Sequence, residues 1–240
     1  MKEPVIVLDD VSLNFPKIKG LISIIKDFIT KKKTHFTALR SVNLEIKQGE
    51  VFGLIGKNGS GKSTILRVIS GIYPPDTGSC RVAGTISLLA GIGTGFSQHQ
   101  TGIENALLYG SILGHDEKEM KEKLPEILDF SELGDFINEP IRTYSAGMKA
   151  RLGLAVASAI RPDILLIDEV LGVGDPQFRE KSKARILELV AQTGTVVIVS
   201  HSFGLMKDIC DRVGVVHGGK LLMIGTPEEA ISKYYEVTEA

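Results

Sequence analysis

The stretch from Val51 to Ser70 reads V-F-G-L-I-G-K-N-G-S-G-K-S-T-I-L-R-V-I-S. Inside it, Gly56, Lys57, Asn58, Gly59, Ser60, Gly61, Lys62, Ser63 and Thr64 carry the G-x-x-x-x-G-K-[ST] spacing of a phosphate-binding loop. A short apolar strand, Val51 to Ile55, leads into the glycine-rich turn, and Lys62 to Thr64 open a helix, which is the strand–loop–helix setting the motif requires. Glycine lets the backbone turn tightly and bring several N–H groups onto a phosphate without a Cβ in the way. The helix start adds unpaired N–H groups and the positive end of its dipole. Lys62 is then placed to reach the β- and γ-phosphates, and the Ser63 hydroxyl to ligate magnesium. This spacing predicts a protein that binds a nucleoside triphosphate.

Two further stretches have the residue types to act on such a phosphate. Ile164-Leu165-Leu166-Ile167-Asp168-Glu169 is an apolar run ending in two carboxylates. Four consecutive apolar residues suit a central parallel strand covered on both faces, and ligands gather at the carboxyl ends of such strands. Asp168 would hold the magnesium, directly or through water, and Glu169 would act as general base on the attacking water. In Tyr144-Ser145-Ala146-Gly147-Met148, Ser145 has the position of a helix N-cap, and Gly147 permits close approach at the first turn. Taken alone, that stretch is only a capped helix.

The elements around these residues follow from composition and periodicity. At 240 residues, with 43% hydrophobic and 24% charged residues, the chain has the make-up of one α/β domain with a small insert. A net charge of −1 gives no reason to expect nucleic acid as a partner. Cys80 and Cys210 are far apart, without metal-ligand spacing, and read as buried or idle thiols of a reducing compartment. No apolar run is long enough to span a bilayer and no signal peptide is evident, so a membrane role would come through a partner.

Along the chain, strands are expected at Val5 to Phe15 and Leu39 to Ile46, and one or two more between Arg81 and Leu89. Pro74 to Gly78 reads as a turn cluster and Gly91 to Gly95 as a second glycine-rich loop, which lacks Lys-Ser. Pro16 to Thr34 reads as an insertion with helical apolar spacing. It is either an amphipathic helix resting near a membrane surface or partner, or a helix packed on its own domain. Helices follow at Glu104 to Leu113, Glu117 to Leu128, Leu133 to Phe136 and Ala146 to Ser158. Strands return at Ile164 to Ile167, Thr195 to Ser200, Val213 to His217 and Lys220 to Ile224. The expected fold class is α/β: a P-loop NTPase (RecA-like), mostly parallel sheet with an N-terminal antiparallel β subdomain and an inserted helical subdomain. Residues 1–96 and 161–240 would form the catalytic core and about 97–160 the helical part.

The order of these pieces (phosphate loop, helical insert, S-x-G helix start, apolar-Asp-Glu strand, then strand-His) resembles that of the ATP-binding-cassette ATPases, the nucleotide-binding subunits of ABC transporters. The resemblance covers nearly the whole chain. It implies a homodimer that sandwiches two ATPs, each phosphate loop facing the partner's signature motif. It further implies that Ser145 and Gly147 contact the γ-phosphate held by the other subunit, that Asp175 in Gly172-Val173-Gly174-Asp175 belongs to the loop communicating across the dimer, and that His201, after the strand to Ser200, is the switch histidine. The aromatic that stacks on adenine is Phe15 or Phe36.

Two departures stand out. The family signature L-S-G-G-Q is Y-S-A-G-M here, with Ala146 and Met148 replacing glycine and glutamine. The loop that usually carries a magnesium-side glutamine falls near Gly91 to Gly93, which offers no side-chain ligand, and Gln98 and Gln100 lie too late. Together with G-x-G-F followed by T-G-I-E-N, F-S-E-L-G-D-F-I (Phe130 to Ile137) and the G-V-G-D loop, these departures resemble the ATPases of bacterial exporters of lipid-linked O-antigen, teichoic acid or capsular glycan. What this implies is ATP and Mg2+ as cofactors, an integral membrane permease as partner, and a location peripheral to the inner face of the cytoplasmic membrane. A carbohydrate-binding domain that some members append after this region has no counterpart before Ala240. The rival readings are an exporter ATPase for a lipid or drug, a soluble ABC ATPase of DNA repair or translation, and a phosphoryl-transferring P-loop kinase.

Overall fold

The computed structural model describes residues 3–16, 35–89, 95–168 and 176–239. In chain order the strands are β1 (Pro4–Pro16), β2 (His35–Lys47), β3 (Val51–Ile55), β4 (Thr77–Val82), β5 (Ile86–Leu89), β6 (Ile164–Asp168), β7 (Thr195–Val199), β8 (Arg212–His217) and β9 (Lys220–Gly225). The helices are α1 (Lys62–Ile69), α2 (Gly102–Ile112), α3 (Glu117–Ser131), α4 (Ala146–Ala159), α5 (Pro176–Gln192), α6 (Phe203–Ile209) and α7 (Pro227–Glu239). They divide into two compact units. The first comprises Met1–Gln48, Phe52–Ala83 and Val199–Ala240, and the second Gly49–Val51 and Gly84–Ile198.

In the first unit, β2, β1 and β4 form an antiparallel sheet in that order. The buried residues of β1 are Ile6 and Leu8, then Val11 and Leu13, so the two-residue alternation slips by one after Leu8. The slip is a bulge: Leu8 faces Leu44 while Val11 faces Val42, and Asp10, the residue gained by β1, sits at φ 49°. The next step reverses it, with Leu13 facing Leu39 and Ser41 of β2 at φ 48°. Two compensating bulges keep the apolar side chains of both strands on the core face. Short polar side chains take up the displaced amides. Asp10 N donates to Asn43 Oδ1 (2.9 Å) and Ser41 N to Ser12 Oγ (3.0 Å). The rest of this unit is β3 parallel to β8 and β8 antiparallel to β9, with α1, α6 and α7. Its core gathers Phe52, Leu54 and Ile55 of β3, Ile65 and Leu66 of α1, and Val213 and Val215 of β8.

In the second unit, β5 runs parallel to β6, and β7 is the next strand beyond β6. Ile164 to Ile167 and all of β7 are buried, as strands covered on both faces should be. Asp163 fixes the start of the β5–β6 pair. Thr85 donates to Asp163 Oδ2 through both its amide and its hydroxyl, each at 2.8 Å. Those bonds, the backbone one foremost, hold the Asp163 carboxyl below its ordinary pKa. Helices α2 to α5 complete the unit.

The expected strands and helices are in place, with differences at the joints. The region Arg81 to Leu89 is two strands that belong to different units, β4 to the antiparallel sheet and β5 to the parallel one. Strand β4 begins at Thr77, inside the expected turn cluster, where Gly78 at φ 82° lets the backbone pass close to the carbonyls of Asp9 and Asp10. The helix expected at Leu133 to Phe136 is a 3-10 turn over Gly134–Asn138. No described helix is long and apolar enough to cross a membrane. Residues 17–34, the body of the insertion, lie outside the described residues, as does 90–94, most of the second glycine-rich loop.

Candidate functional site

The phosphate loop lies wholly in the first unit, between β3 and α1. Lys62 is 6% exposed, and its ammonium donates to the carbonyls of Gly56 (2.7 Å) and Lys57 (3.1 Å). The loop therefore curls around the lysine and holds a buried positive charge at its mouth. Gly59 sits at φ 76° with no atom of the described residues within 4 Å of where a Cβ would project, and Gly61, the N-cap of α1, sits at φ 114°. The N-cap Gly61 brings no side chain to cap α1, and the first turn of the helix opens directly at the loop. A Cβ on Gly56 would lie 2.2 Å from the Val216 carbonyl, so the loop's first residue packs directly on the end of β8. Ser60 is buried, and its hydroxyl has no hydrogen-bond partner among the described residues. Lys57 turns away, its ammonium donating 2.9 Å to the Thr238 carbonyl in the last turn of α7. Cationic loop, helix start without an N-cap side chain and glycine-lined concavity fit a polyphosphate.

Ser63 and Thr64 occupy the first turn of α1 beside Lys62. Phe15 is half-buried, meets the Tyr73 ring edge-on at 5.3 Å between centroids, and faces Phe36 across the β1–β2 pair. Phe36 is 51% exposed. His201 stands exposed between β7 and α6, one residue before Ser202, the N-cap of α6.

The second unit holds the remaining described residues. Asp168 ends β6, half-buried after four buried residues. Ser145 is the N-cap of α4: its Oγ accepts from Met148 N at 3.2 Å, as the sequence predicts. Among the described residues Gly147 has no neighbour closer than Ser145 Oγ, 3.8 Å from where a Cβ would be, so the first turn of α4 leaves room for close approach. Glu169 and Asp175 lie outside the described residues.

Several residues position the site through contacts that their sequence does not signal. Tyr144 is buried, its hydroxyl donating to the Phe136 carbonyl at 2.6 Å, with Gly102 leaving room for the ring: a Cβ there would be 2.3 Å from the hydroxyl. The tyrosine anchors the approach to Ser145. Gln98 accepts 3.3 Å from Lys149 Nζ on α4, and its carbonyl accepts from Arg142 N, so its side chain is committed to the Ser145-bearing helix. Asn105, fully buried, ties down residues 97–101 through Ser97 N and the carbonyls of Ser97, Gln100 and Thr101. Thr101 and Glu104 form a capping box on α2, a T-x-x-E signal readable in the sequence. Farther along α4, Arg151 bonds Glu132 (3.2 Å) and lies over the Phe178 ring of α5, and Glu132 also accepts from Lys181 of α5 at 2.5 Å. These cations hold the Glu132 carboxyl below its ordinary pKa, the Lys181 bond foremost.

The ABC transporter domain family matches residues 39–172. The chain is 42% identical over 242 residues to the O-antigen export system ATP-binding protein RfbB of Myxococcus xanthus, covering 96% of this chain and 55% of that protein. It is 45% identical over 222 residues to the teichoic acids export ATP-binding protein TagH of Listeria monocytogenes, covering 92% of this chain and 64% of that one. It is 39% identical over 240 residues to the O-antigen export system ATP-binding protein RfbB of Klebsiella pneumoniae, covering 97% of this chain and 98% of that one. The chain thus spans a little over half the length of some of these relatives and nearly all of another. Among solved structures it is similar to a dimeric, post-hydrolysis ATP-binding cassette bound to ADP and Pi. That match has a TM-score of 0.73 at 23% identity and covers 92% of this chain and 98% of the other. That likeness shows the fold: a P-loop NTPase with parallel strands, an antiparallel N-terminal sheet and a helical part. On the family match and on these relatives, the chain belongs to the ABC transporter family.

Proposed function

We propose that this chain is the ATP-binding and ATP-hydrolysing subunit of an exporter that carries lipid-linked polysaccharide, of the O-antigen or teichoic acid type, across the cytoplasmic membrane. The observation that carries the reading is the buried Lys62 held inside the glycine loop, in a chain similar along 97% of its length to a protein named for O-antigen export. Two copies would pair with an integral membrane permease and lie peripherally on the inner face of the membrane.

The residues divide the work as follows. Lys62 gives up its carbonyl partners, or shares them, to meet the β- and γ-phosphates, and the amides of the loop and of the first turn of α1 receive the remaining oxygens. Phe15 or Phe36, paired across β1 and β2, would carry the base. Ser145 and Gly147 present a capped, open helix start to the γ-phosphate held by the other copy. Ser63 and Asp168 offer hydroxyl and carboxylate oxygens, the hard donors that suit Mg2+, and the described residues contain no cluster that would hold a metal on its own. When bound, Mg2+ neutralises charge on the phosphates. Glu169 takes the proton of the attacking water, His201 senses the γ-phosphate, and Asp175 communicates across the pair. ATP closes the dimer because each nucleotide bridges two copies, and hydrolysis with phosphate release reopens it.

The test is made in cells. Depleting the protein should cause lipid-linked glycan to build up on the cytoplasmic face, rescued by the wild type and not by Glu169→Gln. Absence of accumulation, with ATP hydrolysis intact in the purified protein, would discard the glycan as cargo.

A further inference from the structure

The β8–β9 hairpin touches the phosphate loop at its tip. Gly218 and Gly219 are the two turn residues, closed by the His217–Lys220 pair, at φ 55° and 81°. Positive φ at both positions is the pattern of a type I′ turn. Gly219 is bonded through both its backbone groups: its N–H donates to the Ser60 carbonyl (2.9 Å), and its carbonyl accepts from Arg40 N of β2 (2.8 Å). The Ala38 carbonyl of β2 lies between two glycines. It would be 2.6 Å from a Cβ on Gly219 and 3.0 Å from a Cβ on Gly61. Gly218 differs, with no atom of the described residues within 4 Å of where its Cβ would be. Phosphate loop, hairpin tip and β2 thus form a three-part backbone clip, all within the first unit.

We infer that Gly219 is a positioning residue for nucleotide binding, acting through the orientation of the Ser60–Gly61 peptide. A trans peptide is planar, so its C=O and N–H point in opposite directions, and no described peptide bond is cis. Fixing the Ser60 carbonyl on Gly219 therefore turns the Gly61 N–H to the opposite side. That amide belongs to the set that cradles phosphate in a G-x-x-x-x-G-K-[ST] loop. Glycine at one end of this peptide makes the orientation easy to lose, because Gly61 has no Cβ to resist a flip. The clip supplies the missing restraint from outside, while Lys62 restrains Gly56 and Lys57 from inside. Only glycine serves at 219, since any Cβ meets the Ala38 carbonyl in a left-handed backbone. This rests on the reading above that the loop holds nucleotide phosphate.

The experiment compares Gly219→Ala with Gly218→Asn in the full chain, at a temperature where both are folded by circular dichroism. Asn-Gly is a preferred type I′ pair, so Gly218→Asn keeps turn and clip. Gly219→Ala is expected to weaken ATP and ADP alike by about ten- to a hundredfold, the loss of one hydrogen bond to a charged group. It should raise KM for ATP with kcat at saturation within about twofold of wild type, a split that lowered stability alone would not produce. Gly218→Asn should match wild type in all three. Equal affinities for Gly219→Ala and wild type would overturn the proposal, whereas a wild type without affinity for ATP would instead overturn the assigned function. A measurement on the wild type alone guards against a variant that does not fold. Without nucleotide, the amides of Gly219 and Arg40 should be protected from hydrogen exchange, and Gly61 should gain protection only when ADP is added. A Gly219 amide that exchanges as fast as an exposed turn would overturn the clip.

Discussion

The phosphate loop and the Ser145 helix start are assigned to the same proposed ligand but are built by opposite means. The loop works with backbone. Its amides, the glycines that expose them and the lysine that follows are contiguous in sequence, and its supports are main-chain contacts with Val216, Gly219 and Ala38. The helix start works with side chains drawn from far along the chain: Tyr144 on Phe136, Lys149 on Gln98, and Arg151 on Glu132 and Phe178. A backbone device depends on spacing and tolerates no Cβ at its close approaches. A side-chain device depends on partners and tolerates replacement where none is engaged, which accounts for Ala146 and Met148 in place of the family's glycine and glutamine. Met148 keeps the one contact that matters to the cap, its own N–H on Ser145 Oγ.

The sharpest way to break the comparison is Lys62→Ala. It removes the buried ammonium from the carbonyls of Gly56 and Lys57 and from the phosphates. ATP turnover should fall by about 10²-fold or more, the scale of losing one preorganised electrostatic contact. Turnover unchanged from wild type would refute the phosphate-loop assignment. On the side-chain half, Tyr144→Phe deletes the hydroxyl and strands the Phe136 carbonyl. It should lower stability by about 1 kcal/mol and the unfolding midpoint by about 2–4 °C, while nucleotide affinity stays constant. An affinity change as large as the Lys62→Ala effect would show that the two halves are not built separately. Glu132→Gln should have a smaller effect, about 0.2–1 kcal/mol, because the carboxylate is 48% exposed. Since the partners of Glu132 lower its folded pKa, its stabilisation is present above the unfolded carboxylate range. It should fade as pH falls through the folded value, and urea unfolding of wild type and variant should converge in acid.

The thiols sharpen the same contrast at the alkaline end. Burial, aided by the charge of Asp211, pushes the Cys210 pKa up to about 12. The folded state therefore keeps this proton while the unfolded state gives it up, so stability should fall as pH rises from about 9 towards 12. Cys210→Ala should flatten that slope, and Cys80, only half-buried, should react first with a thiol reagent. Faster labelling of Cys210 would contradict its burial against β3, where a Cβ on Gly53 would lie 3.0 Å from its Sγ.

The difference between the two regions also explains what could be read from sequence. The loop, its strand, its helix and the Asp168 strand were legible because each is a local pattern: fixed glycine spacing, an unbroken apolar run, a change of period. The Ser145 cap was legible for the same reason. The double bulge in β1 and β2 was hidden, since Asp10 and Ser41 are ordinary polar residues until the two strands are paired. Gly219 was hidden because its constraint comes from Ala38, far away in sequence, and the anchors of α4 were hidden because Tyr144, Gln98 and Glu132 acquire their roles from residues on other elements. The division of Arg81 to Leu89 between two units likewise depends on which strand each half joins.

The central claim is that ATP bridges the phosphate loop of one copy and the Ser145 helix start of another until Glu169 hydrolyses it. Sedimentation of purified Glu169→Gln with and without ATP and Mg2+ tests it most directly. The account predicts monomers without nucleotide, a stable dimer holding two ATPs with it, and loss of that dimer when Ser145→Arg is added. A Glu169→Gln variant that hydrolyses ATP at the wild-type rate, or that binds ATP and stays monomeric, would contradict it.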